Sequence, residues 1–156
     1  MLRKILKLFL LLSWMMLIFS FSMDSGVEST EKSDGVIVWI SETLLNKKIS
    51  KEEKEFLTEK YQFFIRKTAH FTLYFILGFL FLWFKKEFHS FSWKDALIAI
   101  LFVFLYACSD EIHQLFVTER SGEILDVFLD TLGGASATLC YSLWRRRYHE
   151  KTTATH

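Results

Sequence analysis

RKTAHFTLYFILGFLFLWFKK, residues Arg66–Lys86, is the stretch on which the fold turns. Its centre, Ala69–Phe84, is apolar apart from His70 and a few small or aromatic polar groups. Basic pairs close both ends: Arg66 with Lys67, and Lys85 with Lys86. A helix needs about 20 mostly apolar residues to cross roughly 30 Å of hydrocarbon. The run is short for that, but nothing between Phe56 and Ala69 stops the helix from starting earlier. No proline occurs anywhere in the 156 residues, so no position obliges a helix to break. The stretch reads as a transmembrane helix with a histidine inside it.

Three further apolar stretches flank it: Ile5–Phe21, Ala96 to about Phe116, and Gly122–Trp144. Hydrophobic residues make up 51% of the chain, and the 17 Phe outnumber the 6 Gly and 5 Trp together. A soluble domain of this size cannot easily hide so many large apolar side chains, whereas a bilayer solvates them. The sequence therefore predicts an all-α integral membrane protein, a bundle of four transmembrane helices.

Charge sets the expected orientation. The net charge is only +1, so nothing points to a nucleic-acid partner. Basic clusters at Arg3, Lys4 and Lys7, at Lys85 and Lys86, and at Arg145, Arg146 and Arg147 each abut an apolar run. Such clusters favour the cytoplasmic side, which places both termini there in a multi-pass arrangement. Met23–Gln62 and the short Val117–Ser121 connection then fall outside, and Arg66 and Lys67 sit on the outer side against the trend. The expected organisation is a first span at 1–22, an extracytoplasmic polar loop and amphipathic helix at 23–65, a three-span core at 66–144, and a basic cytoplasmic tail at 145–156. The first run also has signal-peptide features, with Ser20 and Ser22 at its end, but its length favours a retained span. Asp24–Gly35 reads as a flexible polar stretch. Ser50 with Glu53 forms a capping-box signature for a helix that runs on through Phe63 and Phe64 into the second span. Cys108 and Cys140 read as buried small hydrophobes.

An ionisable group inside a span is expensive, by about 2.5–3.5 kcal/mol on insertion scales, and so marks a candidate site. Arg66, His70 and Tyr74 are spaced i, i+4, i+8 on one helical face, with Gly78 continuing the stripe. Asp110, His113 and Gln114 share a face, with Glu111 pointing elsewhere. Asp126 and Asp130 are again i, i+4, and Arg120 lies in the connection before them. At a rise of about 1.5 Å per residue, these groups reach similar depths, ~9–12 Å below the outer helix ends. The expectation is an outward-facing polar pocket lined by Arg66, His70, Tyr74, Asp110, His113, Gln114, Arg120, Asp126 and Asp130, with Lys67 and Glu111 beside it.

Three readings of these residues stay open. Arg66, Lys67 and Arg120 suit a phosphate or carboxylate, with an acyl chain below, as a lipid-linked molecule would present. Alternatively His70, Asp110, His113, Asp126 and Asp130 supply acid–base groups for an enzyme, or donors for a divalent metal; no cofactor is otherwise expected. Third, buried ion pairs merely lock the helices together. Ser109 and Ser121 flank the site with no mark of an activated nucleophile. Ion conduction is disfavoured, because the inner ends, such as FLWF before Lys85, are apolar.

The blocks RKTAHFTLYFILG (66–78), SDEIHQLF (109–116) and RSGEILDVFLDTLGG (120–134) resemble the VanZ-like family of bacterial membrane proteins. The opening WMMLIFSFS (14–22) also looks like that family's first span. The family pattern carries over onto Arg66, Lys67, His70, Tyr74, Asp110, Glu111, His113, Gln114, Arg120, Asp126 and Asp130. One departure is VTE before Arg120, where the family commonly has a Pro-Gly turn. The resemblance implies action at the outer face of a bacterial cell membrane, on membrane lipids, a lipid-linked cell-envelope molecule or a lipoglycopeptide. The family's namesake is linked to teicoplanin resistance; the resemblance names no reaction.

Overall fold

The computed structural model describes residues 1–120 and 122–153, with side chains through Arg145. The expectations for Ser121 and for the tail side chains beyond Arg145 lie outside the described residues. Five helices form: α1 (Leu2–Ser22), α2 (Gly26–Leu45), α3 (Lys51–Lys85), α4 (Trp93–Gln114) and α5 (Ile124–Thr153). Three of them, α1, α3 and α4, are long and apolar enough to cross a membrane. The fourth apolar run is helical too, but α5 is not among those three. Asp126, Asp130 and the small-residue run GGASAT at 133–138 dilute its hydropathy.

Local chemistry explains where the helices start. Ser50 accepts from the Glu53 backbone N–H at 3.2 Å, and Glu53 accepts from the Ser50 N–H at 2.8 Å. From that cap α3 runs unbroken for 35 residues, about 52 Å at 1.5 Å per residue, well beyond the bilayer's hydrocarbon. Residues 24–35, expected to be flexible, are instead largely helical. Ser25 and Glu28 form a second capping box, with bonds of 3.2 and 2.8 Å, that launches α2. Asn46, at φ 51° in the left-handed region, ends it.

The centre of the bundle is α3, which packs most extensively on α5. Helix α4 fits against both, α1 lies on α3 and α4, and α2 folds back on α3. Glycines let the backbones meet. A Cβ on Gly78 would lie 3.1 Å from Gly134 Cα, one on Gly133 2.5 Å from the Phe71 carbonyl oxygen, and one on Gly134 2.7 Å from Val103 Cγ1. Such small-residue seams drive helix association where lipid removes the hydrophobic incentive. Polar and apolar groups are distributed inside out. Asp110, Glu111, Gln114 and Asp130 are buried, while Phe9, Met16, Leu101, Leu105, Phe128, Leu132 and Leu139 face outward. Cys140 is exposed on that outer surface, and Cys108 is half-buried, so neither is the fully buried residue expected.

The basic ends cluster together. Lys7 donates to Glu87 at 2.5 Å and to the Trp83 carbonyl at 3.1 Å, Lys85 pairs with Asp95 at 3.0 Å, and Arg145 donates to the Phe91 carbonyl at 3.0 Å. The opposite end carries the site residues. There Gly26 N–H donates to the Thr118 carbonyl at 3.2 Å, docking the start of α2 on the α4–α5 turn. In that turn Glu119 has φ 59°, a left-handed conformation that glycine adopts freely.

Candidate functional site

The candidate residues divide into two systems rather than one pocket. The first is a set of paired carboxylates between α3, α4 and α5. Lys67 holds Asp126 in a short ion pair and reaches Glu123 at 3.3 Å. His70 Nδ1 lies 3.6 Å from the fully buried Asp130, an ion-pair distance too long for a hydrogen bond. Gln114 donates to Asp110 at 3.3 Å. Glu111 accepts from the Glu123 backbone N–H at 2.8 Å, so it points inward and steadies the approach to α5. Tyr74 is wholly buried, its ring centroid 6.2 Å from that of Tyr106, while the His113 ring lies tilted against Phe19 with centroids 4.7 Å apart.

The second system is a cavity of about 500 Å³ on the other flank of α3. Arg66 and His70 from α3 line it, with Arg120 from the α4–α5 turn. Its remaining walls are Trp14 and Phe21 of α1; Asp24; Ser29, Lys32, Ser33 and Val36 of α2; and Ile65, Thr68, Ala69, Thr72, Leu73 and Ile76 of α3. Tyr74, Asp110, His113, Gln114, Asp126 and Asp130 do not line it, contrary to the single-pocket expectation, nor do Lys67 and Glu111. The carboxylates lie between α3, α4 and α5, where the backbones meet closely at Gly78, Gly133 and Gly134. The open space is on the α1–α2 side, because α2 stands against the same end of α3.

Arg66 and Arg120 are the notable charges in that cavity. Arg120 donates to the Phe21 carbonyl at 3.2 Å. Neither arginine forms an ion pair among the described residues, and Asp110, Asp24 and Glu111 act on Arg120 only at longer range. Lys67 and His70 are the partners of Asp126 and Asp130. Burial, then the neighbouring Arg66 guanidinium, pulls the Arg120 pKa below its ordinary value, though a guanidinium stays charged. Asp24, the acidic residue in the lining, is held by Lys32 at 2.6 Å. His70 joins the two systems, since it lines the cavity and faces Asp130.

Several cavity residues escaped the sequence reading: Trp14, Phe21, Asp24, Ser29, Lys32 and Ser33. The signals were present in the SGVE capping box at 25–28 and in the Ser29, Ser33, Ile37 stripe, all three buried. As for a metal, no group of three or more His, Cys, Asp or Glu among the described residues converges as a ligand set.

This geometry defines an all-α protein with three helices fit to cross a bilayer and a cationic cavity at one end of the bundle. The VanZ/LLP1 family model matches residues 7–145, nearly the whole chain, and the protein belongs to this VanZ-like family. No curated protein and no solved structure matches it.

Proposed function

We propose that this protein is a four-span component of the bacterial cell membrane that binds an anionic, lipid-associated cell-envelope molecule at the outer face. The observation that carries this reading is the pair of arginines, Arg66 and Arg120, lining one cavity with no ion pair to either among the described residues, while Asp24, Asp110 and Glu111 act on Arg120 only at longer range. Two like charges held close in a partly dry site store repulsion that a phosphate or carboxylate relieves. Apolar walls at Trp14, Leu73 and Ile76 suit the lipid part.

In this reading α5 is the fourth span. Lys67 neutralises Asp126 and His70 faces Asp130, and Phe128, Leu132 and Leu139 are left for lipid. The basic end is cytoplasmic, in keeping with its clustered lysines and arginines. Residues 23–65 then project outside, the core is 66–144, and 145–156 form the cytoplasmic tail. By holding such a ligand the protein alters susceptibility to teicoplanin-type glycopeptides, which inhibitory concentrations in deletion and overexpression strains would measure.

The binding test uses the full chain in phosphatidylcholine nanodiscs, with co-purified anionic amphiphiles identified by mass spectrometry. Arg66→Gln and Arg120→Gln each remove a charge-assisted contact of about 1.5–3 kcal/mol, so retention should fall about tenfold or more. Equal retention by the wild type and both variants defeats the reading.

A second reading is favoured by one observation: His70 lines the cavity with the buried Asp130 behind it. That arrangement suits a general base whose imidazolium a carboxylate stabilises. Turnover of the bound molecule that Asp130→Asn slows, with binding kept, would support an enzyme over a binding protein.

A further inference from the structure

Resting on the anion-binding reading, we propose that the cavity takes a single-chain anionic amphiphile, admitted sideways from the bilayer, with Trp14 as the floor that limits its tail. The lining is ordered by depth along α3. Arg66 marks the head, and Leu73 and Ile76 follow about 10 and 15 Å further along the axis, at 1.5 Å per residue. On α1, Trp14 lies a similar ~10 Å below Phe21, whose carbonyl anchors Arg120. The indole is pinned across the base because its Nε1 donates to the Leu73 carbonyl at 2.9 Å. Charge therefore sits at one level and hydrocarbon below it, as an amphiphile lies in a leaflet.

Thr68, Ala69 and Thr72 line the cavity on α3 and are themselves exposed, so neighbouring helices do not seal the wall they form. In the proposal that wall is the side through which a tail slides in without leaving hydrocarbon. A volume of about 500 Å³ must hold head and tail together. One chain with a phosphate or carboxylate fits; two long chains on a glycerol headgroup exceed it, so a diacyl lipid would bind only with one chain left outside. A small anion alone would leave the Trp14, Leu73 and Ile76 walls unfilled.

The experiment uses the full chain in phosphatidylcholine nanodiscs and four probes: dodecyl phosphate, dodecyltrimethylammonium, inorganic phosphate and dioleoylphosphatidylglycerol. Dodecyl phosphate should bind one per chain, and the other three at least about tenfold more weakly. Trp14→Ala deepens the floor and should move the preference toward hexadecyl phosphate. Ile76→Trp raises it and should move the preference toward octyl phosphate, so the proposal does not depend on one variant's folding. If the diacyl lipid or inorganic phosphate matches dodecyl phosphate, and Arg66→Gln abolishes both, the anion site stands and the single-chain proposal falls. If dodecyltrimethylammonium binds as well as dodecyl phosphate, the anion reading falls with it. Unchanged chain-length preference in both folded variants removes Trp14 as the floor.

Discussion

Two glycines in α2 should respond in opposite ways to the same methyl group. At Gly26 an added Cβ would lie 2.1 Å from the Glu119 carbonyl oxygen and 2.9 Å from its carbon. Both obstacles are backbone, so no side chain can rotate aside. Relief needs α2 to retreat by more than about 1 Å from ordinary van der Waals contact, which strains or breaks the 3.2 Å bond from Gly26 N–H to Thr118. Overpacking costs about 1–3 kcal/mol and the bond about 1 kcal/mol, against a helix-propensity gain of up to about 1 kcal/mol. Gly26→Ala should therefore destabilise the docking of α2 by about 1–3 kcal/mol. Gly35, in the same helix, has nothing within 4 Å of its added Cβ. Gly35→Ala should stabilise by about 0.5–1 kcal/mol. Thermal unfolding of the full chain in nanodiscs gives the sign, and hydrogen exchange over residues 26–45 locates the effect. Equal stability of the two variants, with unchanged exchange in α2, would refute the docking geometry.

Three further outcomes follow from the packing and the charges. Gly134→Ala should cost about 1–3 kcal/mol through its clash with Val103 and be only partly rescued by Val103→Ala, which removes both Cγ atoms but leaves the Val103 Cβ at 2.9 Å, whereas Gly133→Ala, blocked by the Phe71 backbone, should resist rescue by any side-chain truncation; unfolding midpoints of singles and doubles decide it. Without ligand, Arg66→Gln removes repulsion on Arg120 and should leave stability unchanged or raise it by up to about 1 kcal/mol while binding falls; a loss of stability would contradict an unpaired arginine. Lys7 holds the Glu87 carboxyl below its ordinary pKa. A depressed acid adds stability that is complete above its unfolded value, about 4.3, and is lost as pH falls through the folded value. Melting measured from about pH 6 to about pH 3 should show this acid loss, and Glu87→Gln should flatten it.

The sequence carried the helices well and the cavity poorly, for separate physical reasons. Ser50 and Glu53 announced the start of α3, and the i, i+4 spacings of His70 with Tyr74 and of Asp126 with Asp130 put those groups on inward faces. Gly78 likewise announced a close approach, which Gly134 receives. Spacing along one helix, however, says nothing about which neighbour fills the space in front of it. The carboxylates were legible as a group, but their cations were not, because Lys67 and Arg66 are adjacent and only the rotation of α3 decides which one faces Asp126. The first half of α2, up to Gly35, was read as flexible because its polar composition resembles a linker, although Ser25 and Glu28 encode its cap as plainly as Ser50 and Glu53 encode that of α3. Glu119 was the reverse case: its identity gave no sign of a left-handed turn that the neighbouring helix ends impose.

The separation of paired from unpaired charge assigns different tasks to residues that look alike in the sequence. Lys67 and Asp126 have side chains 14% and 13% exposed, so each keeps the other's charge from being stranded between helices. Breaking such a pair from one side costs about 3–5 kcal/mol, and Asp126→Ala belongs at the low end because Glu123 still faces Lys67. Replacing both partners, as Lys67→Met with Asp126→Leu, leaves no stranded charge and should restore most of the stability, since apolar packing substitutes for a buried ion pair. Arg66 has no such dependence, and its neutralisation should spare the fold. A protein whose Asp126→Ala variant melts like the wild type, while Arg66→Gln unfolds it, would have its structural and ligand-facing charges assigned the wrong way round.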